Sequence, residues 1–253
     1  IEKGMPSTFA SGEGNNAVFW VARDRDGQGQ VVQVVGRLPT VVSTPAITRQ
    51  IQSWGDLSDI QLFVYEQVGH THVVITSPGS DETLVYDSTT KQWHERSSRS
   101  LGVDGRWRVS NHSLFANLHI MGDKSNGKLY SLQADAYDED GEEMIAVRRT
   151  GVIRTKQNGI TVNEVQIVTE PGVGLITGAA EDVDPQAIFR WSRDGGRNWS
   201  AGEDIPLGKI GETENRARIW QLGQGVNWVF EITISARVKR VIKDAVAEIE
   251  QDA

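Results

Sequence analysis

The sequence predicts an all-β protein with a degenerate β-propeller-like architecture and at least one short helix. Short runs of β-branched and aromatic residues recur between clusters of Gly, Asp, Asn and Ser, which is the pattern of hairpins. Eight tryptophans fall mostly within or beside these strand–turn units. A single such unit cannot bury an apolar face alone, whereas radial or stacked packing buries several together.

The strands follow in order. Ala17–Val21 and Val31–Val35 flank the turn-forming stretch Arg23–Gly29, and the same alternation predicts strands at Ile60–Glu66, Thr71–Ser77 and Thr83–Asp87. Further strands are expected at Arg106–Val109, Ser113–His119, Lys128–Leu132, Met144–Arg148 and Gly151–Arg154. Asn163–Thr169 reads as a half-buried strand with Val165, Ile167 and Thr169 on one side. Gln186–Ser192, Ala217–Leu222 and Trp228–Ser235 continue the series. The helix belongs at 45–53, where Thr44 can cap, Pro45 suits the first turn, and Ile47 and Ile51 share a face. The tail 237–250 has apolar spacing compatible with a helix or a final pair of strands, and its β surroundings favour strands.

The polar stretch Gly178–Pro185 marks the expected domain break. It divides a β repeat array forming propeller blades, 1–177, from a C-terminal β unit, 178–253, that would close the propeller.

Composition removes several functions. The absence of Cys excludes thiolate nucleophiles, disulfides and thiolate metal sites. A formal charge of −8, from 34 acidic and 26 basic residues, argues against a broadly basic nucleic-acid surface. No apolar run reaches the length of a membrane span, so no membrane span is expected.

Ser192-Arg193-Asp194-Gly195-Gly196-Arg197-Asn198-Trp199 has the spacing of a self-contained turn. The Asp194 carboxylate can accept backbone N–H groups, Ser192 can do so more weakly, Gly196 tolerates the turn geometry, and Trp199 can cover the hairpin end. The stretch resembles the Asp box of sialidase-like and other propellers, where it shapes a turn away from the active centre. A sialidase would also need an arginine cluster, a Tyr nucleophile and an acid/base carboxylate. Arg148, Arg149, Arg154, Arg190, Arg216 and Arg218, with Tyr86, Tyr130 and Tyr137, supply the residue types but no ordered motif. No catalytic residue is assigned, and no enzyme is expected.

Between Gly69 and Ser97, Tyr86 and Trp93 can pack across a turn at 88–91, and Asp87 can accept bonds from that turn. His94, Glu95 and Arg96 would form a polar lip on the next strand. His70 and His72 share a side of an extended strand, and His94 could approach them as a third metal ligand. Hydrogen-bonded histidines in a sheet or at a subunit contact are the favoured reading, with no metal and no cofactor. His70, His94, Glu95 and Arg96 are therefore the candidate assembly surface.

Gly69-His70, Val85-Tyr86-Asp87 and Trp93-His94-Glu95-Arg96-Ser97 resemble the packaged-DNA stabilisation proteins of short-tailed bacteriophages, also called tail accessory factors or head-completion plug proteins. Further matches are Ser43-Thr44, Asp123, Gly127–Tyr130, Gly172-Val173-Gly174, Asp184-Pro185-Gln186, the Ser192–Trp199 turn, Leu207–Gly211 and Trp220-x-Leu222-Gly223, in the same order. The resemblance implies a C-terminal portion of a longer structural protein of the virion tail or neck, assembled in the host cytoplasm. It implies a homo-oligomeric ring below the portal that closes or extends the DNA channel, retains packaged DNA, lets double-stranded DNA pass, and docks portal or adaptor proteins and distal tail proteins. The competing expectation is a non-catalytic sialidase-like propeller that binds host glycan, which exposed Trp54 or Trp107 on a concave face would favour.

Overall fold

The computed structural model describes residues 4–24, 27–154 and 159–251. The chain forms two compact units, 1–136 and 137–253.

The first unit consists of consecutive antiparallel meanders. Strands β1 (Ser11–Gly14), β2 (Ala17–Asp24), β3 (Gly27–Val35) and β4 (Leu38–Val41) form one sheet. Of the turn expected between β2 and β3, Arg25 and Asp26 lie outside the described residues. Helix α1 (Pro45–Ser53) follows with the expected bounds, Pro45 in its first turn and the Thr44 hydroxyl accepting the Ile47 N–H at 3.3 Å. The second sheet contains β5 (Gln61–Gln67), β6 (His70–Thr76), β7 (Thr83–Asp87), β8 (Gln92–Ser100) and β9 (Val103–Arg106). The third contains β10 (Val109–Phe115), β11 (Leu118–Asp123) and β12 (Leu129–Ser131).

The β5–β9 sheet is packed on both faces. Leu62, Val73, Ile75, Leu84 and Tyr86 join Phe19, Val21, Val31 and Ile51 in one core. Tyr65, Val74 and Val85 join Trp107, Val109 and Met121 in another. All five residues of β7 are consequently buried. Double-sided cover explains why its sequence is nearly continuous in bulky residues rather than alternating. A strand expected at 113–119 is instead two, because Ala116 and Asn117 turn with φ of 47° and 63°. That pair of positive φ values makes a tight hairpin between β10 and β11.

In the second unit, β13 (Asp138–Glu139) and β14 (Glu142–Glu143) form a small hairpin. The remaining strands are β15 (Ala146–Arg149), β16 (Ile160–Thr169), β17 (Gln186–Ser192), β18 (Glu203–Pro206), β19 (Arg216–Gly225), β20 (Val229–Ile234) and β21 (Ile242–Gln251), with a short helix α2 (Ala180–Val183). They make two sheets, in the orders β15-β20-β17-β18 and β19-β16-β21. One core lies between them, including Phe189, Phe230 and Ile232 from the first and Val165, Ile167 and Ile219 from the second. This is a sandwich with its own interior. The stretch expected as a strand at 151–154 contributes only an Ile153–Trp228 bridge. The tail at 242–251 is a single strand paired with β16.

The expected division at 177/178 falls inside this second unit. Residues 137–177 belong with it because β15 pairs with β20 and β16 with β19 and β21. Those pairings span distances in sequence that the polar stretch 178–185 does not interrupt. β16 buries Ile160 and Val162 but also Val165, Ile167 and Thr169. A register shift between Val162 and Glu164 reverses which alternate residues face inward.

Candidate functional site

Two constellations stand out, one in each unit. In the second unit, the turn after β17 is built around Asp194. Its Oδ1 accepts the backbone N–H of Arg197 at 3.0 Å and of Asn198 at 2.9 Å, and the Ser192 hydroxyl at 2.8 Å. The Asn198 amide donates to Oδ2 at 2.5 Å, and Gly196 N–H donates to Ser192 Oγ at 2.8 Å. The backbone and side-chain bonds from Asn198, followed by the Ser192 bond, hold the Asp194 carboxyl far below the usual carboxylate range. Gly196 adopts φ 93°, where a side chain would strain the backbone. The Trp199 indole donates to the Gly196 carbonyl at 3.0 Å. All four predicted turn residues therefore meet in one structure.

The arginines around this turn are committed to a structural group. Arg149, Glu231 and Arg190 are directly opposite one another on β15, β20 and β17. Both guanidiniums bond the Glu231 carboxylate, which is only 1% exposed, and both lie over Trp199, at 5.2 and 4.9 Å from its ring centre. Burial pushes the Glu231 carboxyl up, but the hydrogen bonds from Arg190 and Arg149 outweigh it and hold the group below its ordinary value. Arg218 is paired with Glu164 at 3.4 Å. Tyr86 and Tyr130, by contrast, belong to the first unit. Within its own unit the arginine pair is thus joined to a carboxylate.

In the first unit, the candidate assembly residues are divided by the alternation of β8. His94 and Arg96 face the β10–β12 sheet, whereas Glu95 is on the opposite face and accepts from Gln50 on α1 at 2.8 Å. The expected continuous polar lip is therefore split, since neighbouring strand residues point to opposite sides. Arg96 lies over the rings of Tyr65 and Trp107, at 5.5 and 4.9 Å. His70 bonds Asp87 at 2.7 Å. Asp87 also accepts from Thr89 N–H at 2.9 Å and the Thr90 hydroxyl at 2.8 Å, closing the predicted turn. Burial raises its carboxyl, but the bonds from Thr90, His70 and the Thr89 and Thr90 amides together bring it down to about 2. Tyr86 and Trp93 are paired across β7 and β8 with ring centres 5.0 Å apart.

His70, His72 and His94 do converge, with ring centres 5.9 and 6.1 Å apart in succession. Among the described residues, however, no group of three or more His or acidic side chains is arranged to hold a metal ion. The sequence reading missed Tyr65, His112 and His119, which complete this cluster from β5, β10 and β11. The sequence signal for the two histidines is one histidine on each strand of a single hairpin. Trp54 and Trp107, the residues whose exposure would favour glycan binding, are 9% and 6% exposed and belong to the two cores.

The two units coincide with two family models. Residues 1–137 match bacteriophage P22 Gp10, β-propeller, and residues 146–250 match bacteriophage P22 Gp10, β-sandwich. The chain belongs to the bacteriophage P22 Gp10 family. No curated protein matches the chain closely enough to count as a relative. The P22 Gp10 assignment makes it a phage structural protein of the packaged-DNA stabilisation, or tail accessory, type and a virion component. It also accounts for the two architectures: the stacked meanders are propeller sheets, and the second unit is the sandwich.

Proposed function

We propose that the protein assembles below the portal as part of a homo-oligomeric ring, closes or extends the DNA channel, stabilises packaged DNA, and docks distal tail parts. The observation that best supports docking is the character of its hairpin tips. The Asn15 N–H donates to Glu66 at 2.7 Å, and Gln67 donates to the Leu132 carbonyl at 3.2 Å. These bonds bring the β1–β2, β5–β6 and β10–β11 tips to the same end of the propeller unit. Antiparallel pairing puts the β3–β4 tip at that end too. Leu38, Val68 and Phe115 are 78%, 77% and 72% exposed there.

Val68 is the most telling. It has φ 52° in a tight turn, where Asn or Gly is favoured and a β-branched side chain is strained. An apolar residue that is both strained and exposed contributes little to folding but offers a contact to a protein partner. Repetition of such tips around a ring would let several modest contacts reinforce one another. Of the assembly residues, half-exposed His70 and exposed Glu95 are open to a partner, and His94 and Arg96 brace the sheet beneath. The net acidity suits a channel through which DNA passes without adhering. In this reading no substrate bond is broken, and assembly takes place in the host cytoplasm before the protein resides in the tail or neck.

The test is electron microscopy of the protein mixed with portal–adaptor complexes. A symmetric ring at their distal end is expected. Failure to associate, together with specific binding on a glycan array, would replace this reading with the glycan-binding one. Glu95→Ala particles should also incorporate fewer tail components, and unchanged incorporation would remove Glu95 from the interface.

A further inference from the structure

All five histidines of the chain gather at one end of the joint between the β5–β9 and β10–β12 sheets. Tyr65 is their centre, with ring-centre distances of 4.9 Å to His72, 5.5 Å to His112 and 6.1 Å to His119. His70 and His94 pack against His72 from β6 and β8. His112 Nε2 and His119 Nδ1 are 3.0 Å apart, so one N–H donates to the other ring's lone pair.

We propose that the cluster is an acid-sensitive joint: uncharged His72 and His112 let the two sheets close, and their protonation releases the β10–β12 sheet from its neighbour. The geometry makes added protons unwelcome at both. His72 Nδ1 is buried without a hydrogen-bond partner, so a second N–H on this ring would have no acceptor there. A proton added to the His112–His119 pair would turn donor and acceptor into two opposed donors.

The surrounding charges do not compensate. Facing the cluster are Tyr65 from β5, His70 from β6, Asp87 from β7, His94 and Arg96 from β8, and His112 and His119 from the third sheet. Farther along the joint, Arg108 stacks on Tyr130 and interacts with Asp123. The Asp87 carboxylate beside the histidines is already engaged by His70 and its own turn. Burial above all, then Arg96, opposes charging of His72 and brings it down to about 4, with Asp87 pulling the other way and His70 adding to the opposition. Burial, then His119, lowers His112.

The sign follows from linkage. An imidazole depressed when folded binds more protons when released, so its stabilisation is complete above about pH 6.5 and declines on acidification toward about pH 4. The Asp87 contribution is lost at lower pH, between 3.8 and about 2, which separates the two effects.

Hydrogen exchange of the full chain at pH 7 and pH 5, corrected for intrinsic rates, tests the proposal. Protection across 109–131 should fall about twentyfold through His72 alone, while 186–206 in the sandwich serves as the internal reference. The His72→Gln/His112→Gln variant should lose most of that pH dependence. Equal protection of 109–131 at both pH values in the wild type, or an undiminished effect in the variant, would overturn the proposal. Should the variant fail to fold, titration of the wild-type His72 ring by NMR decides: a midpoint well below 6.5 is required, and one at or above 6.5 rejects the joint.

Discussion

The Trp228 indole N–H donates to the Ile160 carbonyl at 3.0 Å inside the sandwich core, where Trp228 is completely buried. One side chain thus fills volume and satisfies a backbone group of β16, 68 residues away in sequence. Trp228→Phe should destabilise the sandwich by about 1–3 kcal/mol by leaving that carbonyl unpaired. Trp228→Ala adds a cavity and should cost about 3–5 kcal/mol. Urea unfolding followed by exchange of β16 amides measures both, and equal losses would show that the hydrogen bond contributes nothing.

The Asp194 turn predicts a graded series. Asp194→Asn can keep the two backbone N–H bonds through its carbonyl oxygen, but its amide then opposes the Asn198 amide donor. Asp194→Ala loses every bond. Melting temperatures should therefore fall in the order wild type, Asn, Ala. The carboxylate is held low, so its contribution is present above pH 3.8 and is lost as the pH falls below that value.

Glu231→Gln tests the buried row on β15, β20 and β17. An amide offers one acceptor oxygen to two arginines, so one charge-assisted bond is lost, a cost of about 1.5–3 kcal/mol at neutral pH. Because the Glu231 carboxyl is depressed, wild-type stability is lost on acidification below about pH 4.5, and the difference from Glu231→Gln should shrink there. A difference that persists at low pH would contradict the ion-pair account.

Val68→Asn separates stability from assembly. Asn tolerates φ 52° better than Val, so this variant should melt at the same or a higher temperature. If the tip docks a partner, incorporation into portal complexes should nevertheless fall. Loss of stability with normal incorporation would reverse both expectations.

Thr44→Ala removes the hydroxyl that caps α1 and should cost about 1 kcal/mol by thermal or urea unfolding. Thr44→Ser should restore most of it.

What was legible in the sequence is what short-range chemistry dictates. Thr44-Pro45 starts α1, Asp87 closes the 88–91 turn, and Ser192–Trp199 folds onto Asp194, each through partners only a few residues away. The ordered motifs also carried the family. The sequence by itself therefore determined the all-β class, the hairpin grammar and most strand positions. Tertiary structure alone decided which strands share a core, placing 137–177 with the sandwich because its partners are β19, β20 and β21. It also decided that both faces of β7 are covered, and that His72, His112 and His119 meet at Tyr65 with His70 and His94 packed on His72. Local preference selects a strand or a turn, whereas the face a strand buries and the side chains it meets depend on pairing between segments far apart in the chain.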